Sequence, residues 1–181
     1  MQASELFNQP NTILLDGGMG TMLQAAGMKL GTRPEDLNIE NPELIRSIHA
    51  KYAAAGSRVV NANTFGASPH KLADSKYTLE EVITAGIANC KQAVAPYGAL
   101  VTLDVGPLGE LLEPSGTLAF EDAVAEYGRI VRAGVAAGAD ILLANTFGAN
   151  AKKLAGCGHS VEEVVSASIA CARRAGQETS A

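Results

Sequence analysis

The chain has 181 residues, of which 47% are hydrophobic and 4% aromatic, and its formal net charge at pH 7 is -5. This length can bury the core of a single domain, so we expect residues 1–181 to form one unit. The 14 lysines and arginines form no block, which argues against nucleic acid and anionic membrane surfaces as partners. Because no apolar run reaches membrane-spanning length and the polar N-terminus lacks a signal-peptide core, we expect a cytoplasmic protein.

The first predicted element is a short apolar strand at 13–15, which runs into Asp16, Gly17 and Gly18. We expect a buried strand whose end delivers the Asp16 carboxylate into a tight turn, where glycine backbone can approach a ligand closely. In parallel α/β proteins, ligands bind at strand ends of this kind. The alternative interpretation is a strand-to-helix turn that needs positive φ angles.

After a long loop, strands and helices alternate along the chain. The predicted elements are a helix capped by Asn41 and ended by Gly56, a strand from Val59, a helix from Thr78 to about Val94, a strand at Leu100–Val105, a helix from about Phe120 to Ala137, a strand at Ile141–Leu143 and a helix opened by Ser160. Together with the strand at 13–15 they make four βα units. Regular alternation predicts a parallel sheet with right-handed crossovers.

An internal repeat relates residues 54–90 to residues 136–172. Between 63–90 and 145–172, at an offset of 82 (145 − 63), 14 of 28 positions are identical without a gap. The sequence Asn-Thr-Phe-Gly-Ala opens both copies of this segment. The second half of the chain is therefore partly a copy of the first.

Polar residues follow the second and third predicted strands. Asn63 and Thr64 could hydrogen-bond a polar ligand from the carboxyl edge of the sheet, and Asp104 could do the same. The structural alternative for Asn63 and Thr64 is an Asx-type turn with Phe65 as an apolar plug, and we give the two interpretations equal weight.

The histidines and cysteines predict no metal site. Cys157 and His159 supply only two ligands, whereas zinc needs three or four. Cys90 and Cys171 lie on predicted helices among alanines, so we expect small buried residues there. His49 is expected to be a packed or solvated helix residue. The odd number of cysteines, without CxxC spacing, is typical of a reducing compartment.

With these residues in view, the chain resembles the homocysteine S-methyltransferase family, which includes the homocysteine-binding domain of cobalamin-dependent methionine synthase and betaine–homocysteine methyltransferase. The matching segments occur in order and span about residues 12 to 143. They are Leu14 to Thr21, Leu37-Asn38, Asn41 to Ile45, Asn63 to Ala67, Asp104 to Pro107 and Leu112 to Pro114.

The resemblance implies a TIM-type (β/α)8 barrel, of which about four units (a half-barrel) are present, and methyl transfer to the thiol of homocysteine in methionine biosynthesis. Asp16, Gly17 and Gly18 match the family residues that hold the amino and carboxylate groups of homocysteine. A free thiol with a pKa of about 8.5 is a poor nucleophile at neutral pH, and the family's zinc converts it to the thiolate. Cobalamin and methyltetrahydrofolate are implied only through other domains of a methionine synthase.

Two departures from the family pattern stand out. No segment of this chain matches the zinc-binding cysteines, which we expect to lie beyond residue 181. The family has Glu-Thr at the end of the fourth strand, where the acid contacts the substrate amine, and Asn145-Thr146 stands there instead. Asn145 is therefore the predicted substrate-binding residue at that position.

Two other interpretations stay open from the sequence. One is a non-catalytic half-barrel that pairs with a second copy or binds a small amino acid. The other is a small doubly wound domain with a nucleotide at the glycine turn, although Leu23 occupies the third position of the required Gly-x-Gly-x-x-Gly pattern. A sequential strand order contradicts this second interpretation.

We predict that the purified chain neither retains equimolar zinc nor forms methionine by itself, because it has no match to the zinc-binding cysteines. Elemental analysis after dialysis measures the first property. A methionine assay with homocysteine and each methyl donor measures the second. Equimolar zinc together with methionine formation would contradict the prediction.

Overall fold

The computed structural model describes residues 2–114, 116–144, 160, 162, 163 and 166. Its sheet contains three parallel strands in sequential order, β1 (Val59–Asn61), β2 (Leu100–Val105) and β3 (Ile141–Ala144). The predicted α/β class and parallel pairing are confirmed for these strands. A parallel bridge from Leu15 to Val59 places the segment at 13–15 beside β1, so four segments lie side by side in chain order. Since a doubly wound sheet reverses its order within its first four strands, this arrangement contradicts the nucleotide-binding interpretation.

Helices accompany the sheet along the described part of the chain. They are α1 (Ala3–Phe7), α2 (Met19–Ala25), α3 (Leu37–Glu40), α4 (Pro42–Ala54), α5 (Leu79–Val94) and α6 (Phe120–Ala136), with 3-10 turns at Pro34–Asp36 and Ala95–Tyr97. None of the helices in this part is long and apolar enough to cross a membrane.

The segment before β1 differs from the buried strand predicted at 13–15. A single parallel bridge joins Leu15 to Val59, and Leu14 and Leu15 are 56% and 49% exposed. The prediction of a buried strand is therefore wrong. Among the described residues this segment has one neighbouring strand, and the cluster under α1 covers only its Ile13 end, so the two leucines have no second layer to pack against.

The helix ends predicted from capping residues are confirmed. The Asn41 side chain accepts a hydrogen bond from the Leu44 N–H at 3.3 Å, and α4 is followed by Gly56 at a φ of +106°. Thr78 and Glu81 form the predicted capping box at the start of α5.

The second predicted capping box also forms. The Ser160 N–H donates to the Glu163 carboxylate at 2.7 Å, and the Glu163 N–H donates to Ser160 Oγ at 3.1 Å. Most of the second repeat copy lies outside the described residues. The single-domain prediction, the repeat of 54–90 at 136–172 and the number of βα units therefore stay predictions.

The segment between Asp16 and Asn41, predicted as a loop, contains α2, the 3-10 turn at Pro34–Asp36 and α3. Helices this short gain little from propensity, so tertiary packing holds them. In α2, Leu23 is fully buried against Ile45 and Ile48 of α4. The sequence pattern misses these elements because their stabilising contacts come from α4 and α5.

One face of the sheet packs against α5 and α6 and forms the main core. It contributes Val60 from β1, Ala62 directly after β1, and Val101, Leu103 and Val105 from β2. From α5 the buried residues include Val82, Ile83, Ile87 and Cys90, so the thiol of Cys90 is a core group, as predicted.

The opposite face changes from apolar to polar along the strands. At its amino end, Leu6 of α1 packs against Val59 and Leu100. One pair further on, Thr102 Oγ1 donates a 2.6 Å hydrogen bond to Asn61 Oδ1. Because side chains alternate along a strand, Asp104 lies on the same face as Thr102 and ends this gradient at the carboxyl edge.

Two glycines of α6 test how tightly this helix packs on the sheet. A Cβ atom added at Gly134 would lie 2.9 Å from Leu103 Cδ1 and Cγ and nearer still to Cδ2. We therefore expect Gly134→Ala to lower the free energy of unfolding by about 1–3 kcal/mol, because the helix must move off a buried leucine. Urea denaturation measures the change.

The matched control is Gly128→Ala in the same helix. Its added Cβ would meet only the mobile end of Arg132, at 3.1 Å from Nη1. Since alanine is the better helix former, this variant should gain up to about 1 kcal/mol. Equal effects of the two substitutions would contradict the packing described for Gly134.

Candidate functional site

Asp16 lies where the segment at 13–15 ends beside β1. Its N–H donates to the Val59 carbonyl at 3.2 Å, which continues the parallel pairing by one residue. Its Oδ2 accepts the Asn61 N–H at 3.0 Å, whereas its Oδ1 is buried without a hydrogen-bond partner among the described residues. One oxygen of this carboxylate is therefore fixed by the sheet, and the other has its bonding capacity unused.

Asp104 lies near the end of β2, and Thr64 holds its backbone from both sides. The Asp104 N–H donates to Thr64 Oγ1 at 3.1 Å, and the same hydroxyl donates to the Asp104 carbonyl at 3.0 Å. The Oδ1 atom of Asp104 is also buried and without a partner in the described structure. We call Asp16 and Asp104 together the acidic edge.

Burial raises the pKa of both carboxyls of the acidic edge to about 6. The Asn61 N–H lowers the pKa of Asp16, and the nearby charge of Asp104 raises it further. For Asp104, the charge of Glu35 adds to the effect of burial. Both carboxylates are thus costly to ionise in the free protein, which is typical of groups that meet a cation when a ligand binds.

Asn63 follows β1 and is 5% exposed, with its side chain directed to the segment 34–38. Its Nδ2 donates to the Pro34 carbonyl at 2.7 Å and to Asn38 Oδ1 at 2.9 Å. Asn38 returns a bond from its own Nδ2 to the Asn63 carbonyl at 2.8 Å. These reciprocal bonds fix the backbone that carries Asn63 and Thr64.

Glu35 is a third carboxylate close to this edge and is almost fully buried. It accepts the Gly66 N–H at 2.7 Å, and burial raises its pKa, although Lys71 and Arg33 oppose the shift. An added Cβ at Gly66 would overlap the Glu35 carboxylate, so the glycine allows this contact. Glu35 therefore stabilises the loop after β1 through this hydrogen bond to Gly66.

Phe65 does not act as the predicted apolar plug. Its ring is 43% exposed, and the Lys71 ammonium lies 5.4 Å from the ring centroid. An added Cβ at Gly106 would lie 2.9 Å from Phe65 Cδ2 and nearer still to the Phe65 carbonyl. The aromatic ring covers the loop after β2 at the surface instead of filling the core.

Gly17 and Gly18 link Asp16 to α2, and neither has a positive φ. The interpretation of the turn as one that needs positive φ is therefore wrong. Tyr52 packs against Gly17 and leaves little room for a side chain there, since an added Cβ would lie 3.0 Å from the Tyr52 hydroxyl. Tyr52 also donates a 3.3 Å hydrogen bond to the Gly18 carbonyl. The N–H groups of Gly17 and Gly18 have no backbone acceptor in the described structure.

The structure brings several of the predicted site residues to one edge. Asp16 contacts β1, Thr64 contacts Asp104, and Asn63 contacts the segment 34–38, whereas Asn145 lies outside the described residues. Sequence reasoning missed Glu35, which has no recognisable pattern around it. It weighed Asp104 only as an ambiguous strand-end acid.

The described residues contain no group of three or more His, Cys, Asp or Glu side chains that could hold a metal ion. Burial raises the pKa of the Cys90 thiol, the opposite of what a metal-binding thiolate requires. The Nδ1 atom of His70 lies 3.0 Å from a carboxylate oxygen of Glu110. Cys157, His159 and Cys171 lie outside the described residues.

His49 is packed, one of its two predicted environments. It is fully buried in α4, and neither ring nitrogen has a partner among the described residues. Burial lowers its pKa to about 4, so the ring is neutral at pH 7. Because the unfolded chain binds this proton more tightly, His49 reduces stability as the pH falls from about 6.5 to 4.

Comparison with known proteins identifies the family of this chain. A model of the family described as homocysteine S-methyltransferase matches residues 13–143, and a second match covers 128–181. The chain belongs to the homocysteine S-methyltransferase family. The first match includes every described residue of the acidic edge and its supports.

Relatives of known structure have a similar fold. The metallated form of the homocysteine methyltransferase MmuM from Escherichia coli aligns with a TM-score of 0.66 at 28% identity, covering 87% of this chain and 63% of MmuM. The oxidised form gives 0.66 at 27% identity, covering 86% and 61%. The homocysteine S-methyltransferase of Escherichia coli K12 is 36% identical over 66 residues, which are 35% of this chain and 21% of that protein. The chain thus spans less than two thirds of these relatives.

Replacing Asp104 by asparagine is expected to stabilise the chain above pH 6. The carboxyl has a pKa of about 6 when folded, against an ordinary 3.8, so the folded state binds its proton more tightly. This group therefore reduces stability as the pH rises from about 4 to 6, and the neutral amide removes that loss. Allowing for solvent screening, we expect a gain of about 1 kcal/mol at pH 8 and little change at pH 4.

Urea unfolding of both proteins at the two pH values measures this difference. The pH-dependent contribution of His49 to stability is the same in both proteins and cancels in the comparison. Asp122→Asn is the control, since it removes the same charge from an exposed position on α6. A wild-type chain as stable at pH 8 as Asp104→Asn would contradict the prediction.

Proposed function

We propose that this chain is the homocysteine-binding part of a homocysteine S-methyltransferase and that Asp16 binds the ammonium group of homocysteine. The observation that carries the proposal is the Asp16 carboxylate at the carboxyl edge of a parallel sheet. One of its oxygens is held by the Asn61 N–H, and the other is buried without a partner in the described structure. Membership of the family supplies the substrate class.

An ammonium group suits this carboxylate for electrostatic reasons. Charge-assisted hydrogen bonds are about twice as strong as neutral ones, and a bound cation favours the ionised form of Asp16. The carboxylate of the same amino acid would accept hydrogen bonds from the N–H groups of Gly17 and Gly18, which lie next to Asp16 in the chain. The homocysteine thiol would then extend away from this polar end.

Asn63, Thr64 and Asn145 are the other proposed substrate-binding residues. In the structure, the amide of Asn63 and the hydroxyl of Thr64 form hydrogen bonds that hold the ends of β1 and β2. These hydrogen bonds also fix the position of the neighbouring acidic edge. Asn145 is proposed from the sequence alone.

The barrel is likewise part of the proposal. Sequential parallel strands with helices packed on one face agree with consecutive units of a (β/α)8 barrel, in which sites form at the carboxyl ends of the strands. The alignment with MmuM over 87% of this chain supports the same arrangement.

A metal in this family would make the substrate thiol a better nucleophile by favouring its thiolate form. MmuM from Escherichia coli is known in a metallated form. The described residues of this chain do not fit such a metal, because no group of three ligands occurs among them. We propose that these residues bind the amino and carboxylate groups of homocysteine. No part of the methyl-transfer step is assigned to them.

Binding of L-homocysteine to the full 181-residue chain tests the proposal. We expect Asp16→Asn to weaken binding at least 10-fold, because it removes a charge-assisted hydrogen bond. In the wild type, affinity should fall below about pH 6, where protonation of Asp16 removes the charge that attracts the ammonium group. Isothermal titration calorimetry at pH 5 to 8 measures both effects.

The control protein is Asp122→Asn, which should bind like the wild type. The control ligand is 4-sulfanylbutanoate, which keeps the thiol and carboxylate but has no ammonium group, so Asp16→Asn should not weaken its binding. Absence of homocysteine binding by the folded wild type would contradict the function. Equal affinities of wild type and Asp16→Asn would contradict the role of Asp16.

A further inference from the structure

The internal repeat gives the chain two segments of similar sequence that compete for one position in the fold. Residues 63–90 and 145–172 are identical at 14 of 28 positions, and most of the second copy lies outside the described residues. The identical positions include Asn63 and Thr64, whose hydrogen bonds hold the strand ends at the acidic edge. Similar segments of one chain can exchange places during folding, which gives misfolded or domain-swapped molecules.

The apolar core does not distinguish the two copies. The buried core residues of the first copy that are identical in the second are Ala67, Leu72, Val82 and Ile87. Other core positions differ by small apolar changes, such as Ile83 to Val165. Burial of apolar surface would therefore stabilise either copy in the position that the first copy occupies.

Asn89 of α5 makes buried polar contacts that the second copy cannot reproduce. Its Nδ2 donates to the Asn38 carbonyl at 2.8 Å, and its Oδ1 accepts from Arg46 Nη1 at 2.9 Å. Asn89 is 6% exposed and Asn38 is 1% exposed. The aligned residue of the second copy is Cys171. Because a thiol is a weak donor and a buried polar group without a partner is costly, this contact disfavours the second copy.

Gly86 of α5 allows the helix to approach Asn38 closely. A Cβ added at Gly86 would lie 2.7 Å from Asn38 Nδ2. This amide is held in place, since its Nδ2 donates to the carbonyls of Asn63 and Val82 at 2.8 and 3.2 Å. The aligned residue of the second copy is Ser168. A serine at this position would therefore overlap the amide or break its hydrogen bonds.

Two contacts nearer the surface differ in the same way. Asp74 pairs with Arg33, and Ser75 Oγ donates to Asp36 Oδ1 at 2.8 Å. The aligned residues of the second copy are Gly156 and Cys157. Glycine has no side chain to pair with Arg33, and a thiol is a weaker donor to Asp36 than a hydroxyl.

We infer that Gly86 and Asn89 select the first copy for the position beside residues 33–46 and exclude the second copy from it. Asp74 and Ser75 support this selection from the surface. The device works through contacts that are unfavourable for the wrong segment, and it does not depend on the proposed function. Because both copies carry Asn-Thr, the selection also determines which Asn-Thr pair supports the acidic edge.

A short thiol cross-linker reports which copy occupies the position. Ser75 contacts Asp36, and the second copy has the natural Cys157 in place of Ser75. The full chain with Asp36→Cys and Ser75→Cys, which we call the reporter, therefore presents a cysteine in each copy to position 36. After refolding from urea, we expect the product joining positions 36 and 75 to exceed the product joining 36 and 157 by about 10-fold or more. Peptide mass spectrometry measures both products.

The exchange variant gives the second copy the selecting residues of the first. It is the reporter with the added substitutions Gly156→Asp, Ser168→Gly and Cys171→Asn. We expect the product joining positions 36 and 157 to increase by about 10-fold, within one chain or between two chains. Monomers and oligomers are separated by size exclusion and both are analysed, so exchange between chains is counted.

The matched control also changes three residues of the second copy to those of the first. Its substitutions in the reporter are Asn150→Ser, Lys152→His and Ser166→Thr, and its formal charge falls by one, as in the exchange variant. The aligned Ser68 and His70 contact Leu108 and Glu110 instead of residues 33–46, and Thr84 is exposed. We expect the same ratio of products as in the reporter.

A change in the first copy provides a second measurement that does not depend on the exchange variant. In the reporter, Asn89→Ala should lower the ratio of the 36–75 product to the 36–157 product, and Thr84→Ser should leave it unchanged. An unchanged ratio in Asn89→Ala would overturn the role of Asn89. Equal amounts of the two products in the reporter, or an exchange variant that behaves like the control, would overturn the inference as a whole.

Discussion

The reciprocal hydrogen bonds between Asn38 and Asn63 are the constraint on which the candidate site depends. Asn38 is 1% exposed, and its Nδ2 also donates to the Val82 carbonyl of α5 at 3.2 Å. Asn89 of α5 donates to the Asn38 carbonyl at 2.8 Å. One buried amide thus joins the segment 34–38, the end of β1 and α5. Since an unsatisfied buried amide is costly, this network allows essentially one arrangement of the strand end.

That arrangement has consequences for the neighbouring strand. Because Asn63 is held, Thr64 can reach the backbone of Asp104, and β1 and β2 end at a fixed relative height. The sheet face below them runs from the apolar contact of Leu6 with Val59 to the polar pair of Asn61 and Thr102. The acidic edge continues this gradient, so polarity increases toward the ligand.

Stability and function oppose each other at this edge. Two partly buried carboxylates with raised pKa values reduce the stability of the free protein at neutral pH. A cationic ligand bound at this edge would compensate both charges. His49 is a different case, because it is neutral at pH 7 and reduces stability only in acid. The two kinds of buried group therefore respond to pH in opposite directions.

Local sequence predicted well those elements whose signals are themselves local. Asn41 and Thr78 cap α4 and α5 with their own side chains, and Gly56 ends its helix with a positive φ. The short helices between Asp16 and Asn41 were missed because α4 and α5, which are distant in the sequence, stabilise them. The burial expected for Leu14 and Leu15 was wrong for a related reason, since hydrophobicity in a sequence does not say whether a second layer will cover it.

The sequence by itself determined the parallel α/β class, the main helix boundaries and the family, because these depend on periodicity, capping residues and ordered motifs. It also placed Asp16 at a strand end. Only the tertiary structure decided that Asp16 and Asp104 lie close enough to repel each other and that Glu35 supports the loop from a buried position. These relations join residues far apart in the chain, and burial, register and electrostatic coupling exist only once the strands have paired.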